Sequence, residues 1–169
     1  FLRQMNIQVE VKKADSFSIP RISQLTLKTN QFNLTTKRYQ EEEVSKFSSS
    51  SDKIVECVKV SDKFGDNGIT GVYIIDKKND DEWIIDTFLL SCRIMGRGVE
   101  DTMLSQIIKK AKSEEVKTVK GKFISTNKNK PAENFYSKHG FKKNDEYWTF
   151  HINEEIKTPE HIKLRRYDD

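Results

Sequence analysis

The sequence predicts an α/β (α+β) domain, a mixed, mostly antiparallel twisted sheet of about six to seven strands flanked by about four helices. Three observations carry this. Apolar runs at 54–60, 69–75 and 83–90 follow one another through short polar connections, the pattern of an antiparallel meander. Immediately after them comes a glycine loop and then apolar residues at helical spacing. Finally, 169 residues suit one domain, with no composition break or internal repeat to divide it.

The elements can be justified in order. Met5, Ile7, Val9 and Val11 alternate with polar residues, as in a half-buried strand. Ser18 and Pro20 mark a helix start, because proline lacks an N–H that the first turn would not use. Ile22 and Leu25 share a face of that helix, which runs to about Lys28. Residues 30–33 interrupt it. The acidic run Glu41-Glu42-Glu43 suits the start of a second helix carrying Val44 and Phe47.

The meander's first turn is expected at Asp66-Asn67-Gly68. Residues 83–90 are almost continuously apolar, as in a strand covered on both faces. Val99, Met103, Leu104, Ile107, Ile108 and Ala111 then follow the helical period. A strand is expected at 119–124, a short helix from Pro131 to a stop at Gly140, and a last strand at 147–152. Residues 1–153 are read as the domain and 154–169 as a charged tail, ordered at best in part.

Hydrophobic residues make up 35% and charged residues 33% of the chain, with mean hydropathy -0.73; 10% aromatic content argues against disorder. No apolar stretch approaches the ~18 residues of a membrane helix, so no membrane partner is expected. Cys57 and Cys92 are too few for a disulfide framework and lack metal-ligand spacing, so no metal is expected and a reducing cytoplasm is the expected setting. The chain opens on Phe1 without a signal pattern and is expected to be a piece of a longer polypeptide.

The net charge of +4 is uneven: residues 109–143 hold eleven Lys against three Glu. No basic–aromatic interleaving accompanies them, so no nucleic-acid partner is expected. A solvated surface, or a site for a phosphorylated ligand or acidic carrier protein, remains.

The chemistry-bearing junction is the strand followed by Arg93-Ile94-Met95-Gly96-Arg97-Gly98 and an amphipathic helix. The first amides of a helix lack internal partners and carry the positive end of its dipole, and glycines let a phosphate approach them closely. Such a junction is either a phosphate cradle or simply a tight strand-to-helix turn. Downstream lies Asn129-Lys130-Pro131-Ala132-Glu133-Asn134-Phe135-Tyr136-Ser137-Lys138-His139-Gly140-Phe141.

Together these motifs resemble the GNAT superfamily of acyl-coenzyme A dependent N-acetyltransferases. Arg93, Gly96 and Gly98 fit its first motif; Asn129, Phe135, Tyr136, Gly140 and Phe141 fit its second. Further stretches, Pro20-Arg21-Ile22-Ser23-Gln24-Leu25-Thr26, Lys28-Thr29-Asn30-Gln31-Phe32-Asn33-Leu34-Thr35, Asp62-Lys63-Phe64-Gly65-Asp66-Asn67-Gly68 and Ile85-Asp86-Thr87-Phe88-Leu89-Leu90-Ser91-Cys92-Arg93, resemble the C-terminal region of FkbH-like proteins, HAD-superfamily enzymes of subfamily IIIC. That resemblance implies a covalently linked N-terminal HAD-like domain, an acyl carrier protein as partner and polyketide-type biosynthesis. The Asp-x-Asp nucleophile motif of the HAD domain is not in this sequence.

By resemblance the cofactor is acetyl-CoA, another acyl-CoA or a phosphopantetheine thioester. Leu90, Arg93, Gly96, Arg97 and Gly98 would contact it, and Asn129 would bond the pantetheine arm or else cap a helix. Tyr136 would protonate the departing thiolate or serve as a core aromatic. Asp86 is a general-base candidate or a hydrogen-bonded strand residue. Cys92 reads as a buried small hydrophobe, with a covalent thioester role as the alternative. Residues 28–33 would hold the acceptor or face the HAD-like domain. Glu100 and Asp101, in the helix's first turn, would repel a phosphate if they faced it. The ligand assignment requires unpaired amides near residue 97, opening onto an anion-sized gap between two splaying strands. Failing an acyltransferase, the fold would serve as a non-catalytic docking module for a carrier protein.

Overall fold

The computed structural model describes residues 1–167. Its strands are β1 (Ile7–Lys13), β2 (Phe32–Asn33), β3 (Lys53–Asp62), β4 (Gly65–Asp76), β5 (Glu82–Leu90), β6 (Thr118–Gly121), β7 (Lys142–Asn144), β8 (Tyr147–His151) and β9 (Ile162–Tyr167). The helices are α1 (Ile19–Lys28), α2 (Glu41–Ser49), α3 (Val99–Ser113) and α4 (Phe135–Lys138). All nine strands join one sheet in the order β7-β8-β6-β5-β4-β3-β1-β9, with β2 on the edge of β5. Among the described residues only β1–β9 and β5–β6 are parallel pairs.

Both faces of the central strands are covered, which explains their near-continuous apolar runs. Val55, Cys57, Val72, Ile74 and Leu89 face Ile22 and Leu25 of α1 and Val44 of α2. Their neighbours Val58, Tyr73, Ile75, Ile85, Phe88 and Leu90 belong to the larger core with Val99, Met103, Leu104, Ile107, Ile108 and Ala111 of α3. Those α3 side chains are at most 1% exposed, and burying each large one contributes about 1.5–3 kcal/mol. The capping box at α2, in which the Gln40 amide donates to Glu43 Oε1 at 3.0 Å, sets that helix's start.

The sheet exceeds the expected six to seven strands through three short additions. β2 and β7 are two and three residues long, too short for periodicity to reveal. β9 lies in the segment expected to be a tail. Ile162 and Leu164 pack on the core, and Arg166 Nη2 donates to Glu56 Oε2 at 2.5 Å. Glu56 also accepts from Tyr73 and lies 3.5 Å from Lys110 Nζ. A buried carboxylate thus recruits Arg166, one of the charged residues that made the tail look unstructured. Asp168 and Asp169, the rest of that expected tail, lie outside the described residues.

Two boundaries also differ. The β3–β4 turn falls at residues 63–64, ahead of Asp66-Asn67-Gly68, because Asp62 Oδ1 accepts from the Phe64 amide at 2.8 Å. The strand expected at 119–124 ends at Gly121, beyond which the chain leaves β5 and passes around β2.

Candidate functional site

β5 delivers the chain into a tight 3-10 turn, Cys92–Ile94, that buries Ile94 and leaves Cys92 and Arg93 exposed. The expectation of a buried Cys92 is therefore corrected: the inward position falls two residues later. Gly96 and Gly98 have φ of 77° and 91°, the left-handed region that glycine tolerates, and α3 begins directly after them.

The amides of this loop do not face an empty cradle. Glu100 folds back over them, and the Gly98 amide donates to its Oε1 at 3.4 Å. Burial and the charge of Asp101 push the Glu100 carboxyl up, while the backbone of Glu100, Gly98 and Gly96 holds it down; the net direction is upward. Its second oxygen is buried without a partner. A residue of the chain thus occupies the position in which an anion was expected. From the other side, His161 Nε2 lies 2.5 Å from the Arg97 carbonyl oxygen, and a Cβ at Gly98 would meet His161 and Pro159 at about 3.0–3.1 Å.

The gap between splaying strands is filled as well. β5 and β6 pair from Glu82/Thr118 to Ile85/Gly121 and then separate. Into the opening comes β2, with Phe32 opposite Leu90 and Asn33 opposite Leu89. The Leu34 amide donates to the Phe88 carbonyl at 3.1 Å, and Thr35 Oγ1 to the Asp86 carbonyl at 2.8 Å. On the other edge the Ile124 amide donates to the Leu34 carbonyl at 2.9 Å. An extended ligand seeking backbone bonds along β5 finds them taken by residues 32–35. The clue in the sequence was Phe32 and Leu34, alternating apolar residues in a stretch otherwise read as a helix break.

The remaining sequence candidates are similarly engaged. Leu90 is fully buried and paired with Phe32 of β2. Arg97 Nη1 pairs with the buried Asp62 carboxylate at 3.2 Å. Arg93 reaches only Ser91 Oγ and the Asn67 carbonyl, both at 3.5 Å. Asn129 neither caps a helix nor offers a free amide: its Nδ2 donates to the Asn33 and Ile124 carbonyls at 3.0 and 2.9 Å, and its Oδ1 accepts from the Thr126 amide at 2.8 Å. It clamps β2 in place.

Asp86 accepts from Lys37 Nζ at 2.7 Å, Tyr39 Oη at 2.8 Å and Thr87 Oγ1 at 2.9 Å, the hydrogen-bonded strand arrangement. Tyr136 is 1% exposed, and its hydroxyl is buried without a partner. That hydroxyl lies over Gly121, where a Cβ would collide with it. Burial pushes the phenol well above its ordinary range. Asp101, beside Glu100, is turned away and pairs with His139 Nε2 at 2.7 Å. Among the described residues no group of three or more His, Cys, Asp or Glu could hold a metal ion, and no helix is long and apolar enough to cross a membrane.

Comparison with known proteins places this architecture. No family model matches the chain, and no curated protein matches it. Solved structures do. The ribosomal-protein-S18-alanine N-acetyltransferase of Escherichia coli superposes with TM-score 0.64 at 11% identity, covering 86% of this chain and 95% of that one. A GNAT family acetyltransferase from Elizabethkingia anophelis, with acetyl-CoA bound, gives 0.57 at 18% identity over 83% and 78%. Ard1 from Thermoplasma volcanium gives 0.63 at 15% identity over 86% and 99%. The chain has the GNAT acetyltransferase fold. At these identities the likeness concerns the fold alone.

Proposed function

We propose that this domain is a GNAT-fold docking module of an FkbH-like protein, one that positions an acyl carrier protein for a HAD-like domain and does not turn over acyl-CoA. The observation that supports it is the filled donor groove: Glu100 sits on the loop amides and residues 32–35 run along the free edge of β5. The basic region supports the partner. Lys110, Lys112, Lys117, Lys120 and Lys122 are held in ion pairs by acidic residues, whereas Lys128 is exposed beside the Asn129 clamp, with Lys130 on its other side. Rim lysines of this kind steer an acidic partner and make binding salt-sensitive.

Calorimetry against a carrier protein tests this. The expected result is binding that weakens with salt and with the Lys128→Glu, Lys130→Glu double variant, without turnover of acetyl-CoA. Binding indifferent to both changes would defeat the proposal.

A second reading, an acyl-CoA or phosphopantetheine-dependent acyltransferase, is favoured by the fold and by one detail. The Gly98 amide reaches Glu100 only at a long 3.4 Å, and one carboxylate oxygen is left unsatisfied. Were it displaced, the Gly96 and Gly98 amides would be free for a pyrophosphate. An acceptor would then attack the thioester directly, with Asp86 as base and Tyr136 as acid once exposed. Acetyl-CoA turnover by the Glu100→Gln variant would favour this reading; turnover by neither variant nor parent would remove it.

A further inference from the structure

An open pocket of about 720 Å³ lies beside the filled groove, between α1 and the turn that follows β5. Arg21 and Lys28 of α1, Arg93 from the turn and Lys128 from the loop before the Asn129 clamp all line it, together with Ser91 and Cys92. The lining contains no carboxylate. Four other pockets each include at least one, namely Asp15 in the first, Glu56, Glu155 and Glu114 in the rest. In a chain with 26 acidic residues, four cations around one acid-free cavity are a local excess that the fold does not neutralise.

The contacts its two arginines make are with neutral groups. Arg21 bonds the Ile69 carbonyl at 3.2 Å and Gln24 Oε1 at 2.7 Å. Arg93 touches only neutral oxygens at 3.5 Å. Burial and the facing charge of Arg93 hold the Arg21 guanidinium below its usual range, as expected when two cations share a space without an anion. The end of α1 would ordinarily disfavour an anion through its free carbonyls. Here Arg38 Nη1 bonds the Thr26 and Thr29 carbonyls at 2.5 and 2.8 Å, and Asn33 Nδ2 bonds Thr29 at 3.1 Å, so that end is already covered.

We propose that this pocket is a binding site for a phosphate-bearing anion, held by Arg21 and Arg93 as paired forks with Lys28 and Lys128 as point charges. Guanidinium forks match phosphate oxygens two at a time, and the ammonium groups complete the charge without fixing geometry. The site shares Arg93 with the glycine loop but not that loop's amides, which face Glu100, and it holds whether or not the domain docks a carrier protein. Two sources share this chemistry: a free phosphorylated small molecule, and the phosphodiester of a carrier protein's pantetheine arm.

Cys92 reports on occupancy. It is exposed in the pocket lining, while Cys57 is buried and its thiol pushed up to about 11, so iodoacetamide reads Cys92 selectively. At constant ionic strength, pyrophosphate should slow alkylation by a factor of 1 + [ligand]/Kd, about fivefold at four times Kd. Arg21→Gln and Arg93→Gln should each abolish the protection, and Lys109→Gln on α3 should leave it unchanged. Circular dichroism of each variant guards against misfolding.

In a parallel arm, holo-carrier and apo-carrier protein replace pyrophosphate. Protection by pyrophosphate assigns the site to a free phosphorylated molecule; protection by holo-carrier alone assigns it to the pantetheine arm. Protection by neither, or protection that survives Arg93→Gln, overturns the proposal. Carrier binding without protection of Cys92 would overturn it while leaving the docking module standing.

Discussion

Replacing Tyr136 by Phe should make this protein more stable. The Tyr136 ring is 1% exposed and packs against Phe141 and Phe135 at centroid distances of 4.9 and 5.8 Å, contacts that Phe preserves. What the substitution removes is a hydroxyl buried over Gly121 with no hydrogen-bond partner. Leaving such a group unsatisfied costs about 1–3 kcal/mol. For a domain of this length each kcal/mol moves Tm by about 2–4 °C, so a rise of about 2–12 °C is expected. Urea melts with an unchanged m-value would confirm that the gain lies in the native state.

A double-mutant cycle sharpens the test. Gly121→Ala drives a methyl into the Tyr136 hydroxyl and to 2.5 Å from its ring carbon Cζ, so it should cost about 1–3 kcal/mol in the parent and only somewhat less with Tyr136→Phe, which removes the hydroxyl collision but keeps the ring carbon's. Loss of stability in Tyr136→Phe would refute the reasoning. It would mean that the hydroxyl has a partner worth keeping, and would reopen a role for it as an acid.

Other consequences can be checked alongside. Glu100 has a raised native pKa, so the native state binds its proton more tightly than the unfolded chain; stability therefore falls as pH rises from the ordinary carboxylate value through the raised one. Glu100→Gln should lack that slope, and its urea midpoint should exceed the parent's more at pH 7 than at pH 4. Arg166→Met strips the buried Glu56 of its shortest cationic contact and should cost about 3 kcal/mol, with faster hydrogen exchange in β9. Burial opposes the charged form of His139, but its bonds to Asp101 and the Phe135 carbonyl prevail and raise its pKa. That stabilisation is complete below the unfolded value of about 6.5 and is lost as pH rises through the folded one. His139→Gln should thus cost ~1.5 kcal/mol at pH 5.5 and less at pH 9 in thermal melts.

The elements legible in the sequence were those with a full period to display. α3 showed its stripe over 15 residues, and β3 to β5 carried long apolar runs. What escaped was pairing set by tertiary partners. β2 exists because β5 and β6 part at Gly121 and leave an edge to be satisfied. β9 exists because Glu56, far away in sequence, needs a cation. The glycine loop and the Asn129–Tyr136 motif were visible, and the fold they implied is present. Their chemistry was not, because residue identity says nothing about what already occupies a donor. Glu100 was recognisable as a hazard to phosphate, but its direction depended on the turn at Gly98.

The central claim is that the chain fills its own donor groove, and amide chemical shifts test it most directly. Coenzyme A titrated to about 1 mM into 15N-labelled protein, a level that detects dissociation constants near that value, should leave the amides of Gly96, Gly98, Phe32 and Leu34 in place. Saturable movement of those four resonances would contradict it, showing that Glu100 and β2 give way to a nucleotide-tailed ligand.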